Sequence, residues 1–114
     1  MRPMAKRTER HTKRETYLNS GVMTYEALGR LLNAEGWEEC PEESIPKIRN
    51  YIVDIIRCKA TLPGILIAIP IQENEVLVIR GAEFDQYFDN TRKLLEAIKN
   101  NESRFYAKPD NSRT

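Results

Sequence analysis

The sequence predicts one small α+β domain, and three observations carry that expectation. Apolar residues recur at helical spacing in two neighbouring stretches and again near the C-terminus. Two β-rich runs separate the second helical stretch from the third. A length of 114 residues leaves room for a single core. Hydrophobic residues make up 40% and charged residues 31% of the chain, and the apolar shortfall is concentrated at the two ends. The folded part is therefore expected over 22–101, between a basic flexible arm at 1–21 and a flexible tail at 102–114.

The arm carries Arg2, Lys6, Arg7, Arg10, Lys13 and Arg14 against Glu9 and Glu15. It is nearly free of large apolar side chains before Tyr17 and Leu18, too little to fold alone. A first helix is expected from about Thr24 to Glu35, with Thr24 as N-cap, Gly36 as the stop, and Tyr25, Leu28, Leu31 and Leu32 on one face. Gly29 inside it points to close packing against another element. An acidic linker with Glu35, Glu38, Glu39, Glu42 and Glu43 then leads to a second helix from about Ser44 to Lys59. Pro46 fits its first turn, and Ile45, Ile48, Ile52, Ile55 and Ile56 make the buried stripe.

Pro63-Gly64 marks a break before Ile65–Ile71 and Glu75–Arg80, which read as a hairpin turning at Gln72-Glu73-Asn74. The first run is apolar at every position, so both of its faces are expected to be covered, by helices or by a second subunit. Pro70 argues that one side of the hairpin is an edge. A last helix is expected from Glu83 to Asn100, with Phe84, Tyr87, Phe88, Thr91, Leu94, Leu95 and Ile98 as its apolar face.

This order of elements resembles a winged helix-turn-helix domain of the small phage and bacterial type. The resemblance rests on Thr24-Tyr-Glu-Ala-Leu-Gly-Arg-Leu-Leu followed by Ser44-Ile-Pro-Lys-Ile-Arg-Asn-Tyr-Ile, on the hairpin Ile65 to Arg80 as wing, and on the helix that begins Glu83-Phe-Asp-Gln-Tyr-Phe. It covers about residues 22 to 100 and is a pattern of apolar spacing. It implies a DNA-binding transcriptional regulator whose 44–59 helix enters the major groove. Lys47, Arg49, Asn50 and Arg57 are the donors that reach base edges and phosphates, and Lys6, Arg7, Arg10, Lys13 and Arg14 of the arm track phosphate or a minor groove. Three features depart from that pattern: the acidic linker, Asp54 in the middle of the reading face, and Glu73 and Glu75 at the tip of the wing.

The balance of 18 Lys+Arg against 17 Asp+Glu, formally +1, gives no global pull toward nucleic acid. A protein-interaction module, an adaptor or inhibitor that docks through the acidic loop and an apolar surface, is therefore the second reading. No nucleophile is paired with a base by any recognised motif, glycine-rich phosphate loops are missing, and the only histidine, His11, lies in the arm. An enzyme, a bound metal and a cofactor are accordingly not expected. Trp37 and Tyr51 are read as core residues before pocket residues. Cys40 and Cys58 make neither a disulfide framework nor a metal motif, and with no apolar run of membrane length a cytoplasmic protein with reduced thiols is expected. A homodimer is expected because the apolar Ile65–Ile71 strand and the aromatic last helix exceed what two short helices cover.

Overall fold

The strand that is apolar at every position is the key to the architecture. In a computed structural model that describes residues 21–100 and 102–109, Ile65–Gln72 is the central strand of a five-stranded sheet. In chain order the elements are β1 (Val22–Thr24), α1 (Tyr25–Glu35), β2 (Glu38–Glu39), a 3-10 turn at Glu42–Ser44, α2 (Ile45–Arg57), β3 (Ile65–Gln72), β4 (Glu75–Arg80), a 3-10 stretch at Gly81–Asn90, α3 (Thr91–Ile98) and β5 (Arg104–Ala107). The strands lie in the order β1-β4-β3-β5-β2, with every neighbouring pair antiparallel. The described residues thus form a small α+β domain of three α-helices and one antiparallel sheet.

Successive residues of a strand point to opposite faces, and here both faces are covered. Ile67 and Ile69 of β3, Leu77 and Ile79 of β4 and Phe105 of β5 pack with Ile52 and Ile56 of α2 and with Leu94 and Ile98 of α3. Leu66 and Ala68 of β3, Val76 and Val78 of β4 and Tyr106 of β5 pack on the other side with Leu28 of α1. The apolar surplus that pointed to a second subunit is covered within the chain. Among the described residues, the large hydrophobics left exposed are Tyr25, Tyr51 and Ile71.

Local chemistry explains the helices. Thr24 caps α1 as expected, its Oγ1 accepting from the Ala27 N–H at 3.1 Å. Gly36 ends the helix at φ 76°, and its N–H donates to the Leu32 carbonyl. Gly29 departs from expectation. It is exposed, and a Cβ built on it meets nothing within 4 Å, so no neighbour requires a glycine there. In α2, Pro46 occupies the first turn, and Ile52, Val53 and Ile56 are buried while Ile45, Ile48 and Ile55 are half-buried.

Three further expectations are corrected. The single helix expected over Glu83–Asn100 is two elements, a 3-10 stretch to Asn90 and α3 beyond it. Gly81, Phe84 and Tyr87 are the buried residues of the first part, a spacing of three that fits 3.0 residues per turn, while Leu94 and Ile98 in α3 return to a spacing of four. Residues 102–114 were expected to be a tail, yet Arg104–Ala107 is β5, pairing with β3 from Ala68↔Arg104 to Ile65↔Ala107. Finally, the hairpin expected to project as a wing is the central pair of the sheet, and α1 and α2 lie on opposite faces of it. The edge inferred from Pro70 is local: β5 pairing ends at Ala68, and among the described residues no strand pairs with that side of β3 at the proline.

Candidate interaction surfaces

The outward face of α2 is a polar stripe. Lys47, Asn50, Tyr51, Asp54 and Arg57 are all exposed on it, over about 15 Å of helix at 1.5 Å per residue. Sequence reading placed Lys47, Asn50 and Arg57 together, and the structure does the same. Tyr51, read as a core residue, stands instead in the middle of this stripe, 56% exposed. It is remote from Trp37, which packs on the α1 side of the sheet.

Arg49 does not join the stripe. Its Nε donates to the Ile98 carbonyl at 3.3 Å and its Nη2 to the Asn100 carbonyl at 3.4 Å, and its guanidinium stands 5.7 Å from the Phe105 ring centroid. It satisfies carbonyls at the C-terminal end of α3, where a cation is favoured, and is spent there. Lys6, Arg7, Arg10, Lys13 and Arg14 lie outside the described residues.

The helices divide the charge by face. On the α2/α3 side, Lys47, Arg57, Lys59, Arg92, Lys93 and Lys99 are exposed on or just beyond the two helices, against Asp54 and Glu96 there and Glu83, Asp85 and Asp89 on the 3-10 stretch packed beside them. The α1 side and its edge carry Glu26, Glu35, Glu38, Glu39, Glu42, Glu43 and Glu102 against Arg30, Arg80, Arg104 and Lys108, of which Arg80 and Arg104 are paired with Glu35 and Glu39. Glu35 is held by Arg80 through contacts of 2.7 and 3.0 Å, and the Trp37 indole N–H donates to it at 2.9 Å. The Arg80 hydrogen bond first, and Trp37 second, lower the Glu35 pKa to about 2. Lys108 stacks over Trp37 at 5.0 Å.

On the α1 face an open cleft of about 580 Å³ lies beside the helix. Leu28, Ala68, Val76 and Tyr106 form its apolar floor; Tyr25, Glu39, Glu42, Glu102 and Arg104 stand around it. Arg104 is paired with Glu39 at 2.9 Å. Burial first, then the nearby Glu39 carboxylate, pushes the Tyr106 hydroxyl up from its ordinary pKa.

The cleft has no counterpart among the sequence expectations because Glu102, Ser103, Arg104 and Tyr106 of its lining come from the presumed tail. The alternation Arg104-Phe105-Tyr106-Ala107, polar-apolar-aromatic, was the available signal. Among the described residues, no group of three or more His, Cys, Asp or Glu side chains is placed to hold a metal ion, and no helix is long and apolar enough to cross a membrane. Cys40 and Cys58 are both free thiols, one half-buried and one exposed.

Fold and surface together define a small α+β domain with a basic helical layer on one side of its sheet and an acidic, partly open face on the other. No protein-family model matches the chain, and neither the curated proteins nor the solved structures contain a significant match to it.

Proposed function

We propose that the protein is a DNA-binding regulator that presents the outward face of α2 to the duplex, with the basic N-terminal arm adding phosphate contacts. The basic surplus of α2 and α3, with Lys47, Arg57, Lys59, Arg92, Lys93 and Lys99 against Asp54 and Glu96, is the observation that carries this reading. A net charge of +1 conceals that local surplus, and only the local field matters to a polyanion. The acidic residues of the linker, an obstacle in the sequence, belong in part to the opposite side: Glu39 and Glu42 border the cleft on the α1 face.

In this proposal α2 has the part of a recognition helix in winged-helix proteins, but its flank is α3 and not α1. Lys47 and Arg57 supply phosphate or guanine contacts, and Asn50 is suited to the adenine edge. Tyr51, between them, offers an apolar surface to a thymine methyl or a sugar. Asp54 faces the same way and works against binding, which favours a register in which it meets a cytosine amino group.

The test is fluorescence anisotropy with a labelled duplex, titrated at several salt concentrations. Counterion release makes log affinity fall linearly with log salt, and the slope counts phosphate contacts. Lys47→Ala or Arg57→Ala should each reduce that slope by about one if the residue touches phosphate. Absence of binding at low salt would overturn the proposal.

A further inference from the structure

We infer that the acid-rimmed cleft on the α1 face is a docking site for a lysine- or arginine-rich segment of a partner protein, bound in extended form with one apolar side chain on the cleft floor. Three observations carry this. The cleft is large enough for a few residues of peptide, about 580 Å³, and Leu28, Ala68 and Val76 give it an apolar lining. Its rim is anionic: Glu39, Glu42 and Glu102 border it, while its one cation, Arg104, is already committed to Glu39. Among the described residues neither Glu42 nor Glu102 has an ion-pair partner.

The third observation is Tyr106. It is 9% exposed and lines the cleft, and no hydrogen bond to its hydroxyl is found among the described residues. A phenol buried to this extent normally finds a partner. Tyr106 lines the cleft close to Glu39, and a group entering the cleft can supply the missing partner. A peptide carbonyl accepts from the hydroxyl, while the cationic side chains on either side meet Glu42 and Glu102. Among the described residues the edge of β3 beyond Ala68 has no pairing strand, and Pro70 there borders the cleft.

A cationic partner is favoured over an anionic or apolar one by charge alone. A nucleic acid would meet carboxylates, and an uncharged peptide would leave them unpaired. Interfaces of this kind draw specificity and association rate from complementary charge and affinity from the buried apolar anchor.

The experiment titrates the full chain against a fluorescein-labelled oligolysine peptide with one central leucine, with an oligoglutamate peptide of the same design as control. The expected result is saturable binding of the lysine peptide, weakened by salt. It should be roughly tenfold weaker in E42Q/E102Q, which removes two rim carboxylates. Both residues are exposed, so the variant keeps its fold, checked by circular dichroism. Failure of the lysine peptide to bind, or equal affinity for wild type and E42Q/E102Q, overturns the inference. A full chain with Arg2, Lys6, Arg7, Arg10, Lys13 and Arg14 all changed to Gln provides the last arm. Unchanged peptide affinity there supports an external partner, whereas affinity at least tenfold tighter makes the chain's own arm the occupant and overturns the partner assignment.

Discussion

Replacing Phe105 by Ala should be among the most damaging single changes in the chain, although its sequence position suggests a tail. Its side chain is fully buried in the cluster formed with α2 and α3, and its strand lies between β3 and β2. Truncating a buried Phe costs about 3–5 kcal/mol through lost burial and the cavity left behind. The Arg49 guanidinium also loses the ring it stands over. In a domain of this size each kcal/mol moves Tm by roughly 4–8 °C, so a fall of at least about 12 °C is expected. Urea denaturation at neutral pH measures the loss directly as a shift in midpoint, with the slope m reporting whether compactness has changed. Arg104→Ala on the same strand, exposed and paired only with Glu39, is the control and should cost under about 1 kcal/mol. If Phe105→Ala costs no more than Arg104→Ala, β5 does not belong to the core, and the cleft built on it falls with it.

The remaining predictions concern α1, α2 and one ion pair. Gly29→Ala should stabilise the protein by about 0.5–1 kcal/mol, because the position is helical, exposed and free of neighbours; a thermal melt showing destabilisation would contradict the packing described. Glu35 has a folded pKa lowered from 4.5 to about 2, so its stabilisation is present above 4.5 and is lost as pH falls through about 2. The pair is more than a third exposed on the Glu35 side, and screening holds its worth to about 1 kcal/mol or less. The gap in urea midpoint between wild type and Glu35→Gln should therefore be constant above pH 4.5 and narrow towards pH 2. Arg49→Ala should lower stability by about 1 kcal/mol by leaving α3 carbonyls without their donor, while the salt slope for DNA stays at the wild-type value.

Much of the fold was legible because local rules and tertiary packing agree. Thr24 and Gly36 bracket α1 through backbone chemistry that depends on nothing distant. The isoleucine stripe of α2 and the uninterrupted apolar run of β3 announced a buried helix face and a strand covered twice. What failed were inferences about order in space. The sequence order helix-helix-hairpin-helix suggested packing of sequential neighbours, but α1 and α2 are separated by the sheet because Leu28 and Ile52 bury against opposite faces of the same strands. The spacing of Phe84 and Tyr87 fits a 3-10 turn as well as an α-helix, and the close approach of Gly81 to the Leu62 carbonyl fixes where that stretch begins.

The candidate surfaces were legible in part for the same reason. Lys47, Asn50 and Arg57 share a helix face, so spacing alone grouped them. Arg49 lies two residues from Lys47 and points to α3, a contact across 49 residues of chain that spacing cannot show. The cleft joins α1, β3, β5 and the acidic linker, and its members have no signature in sequence until the sheet brings them together.

The division of the protein into a basic and an acidic face is most directly tested by amide chemical-shift mapping during titration with a short DNA duplex. Shifts confined to the outward residues of α2 and α3, around Lys47, Tyr51, Arg57 and Lys93, are the predicted result. Shifts centred on α1, β2 and the cleft, or none at low salt, would contradict it.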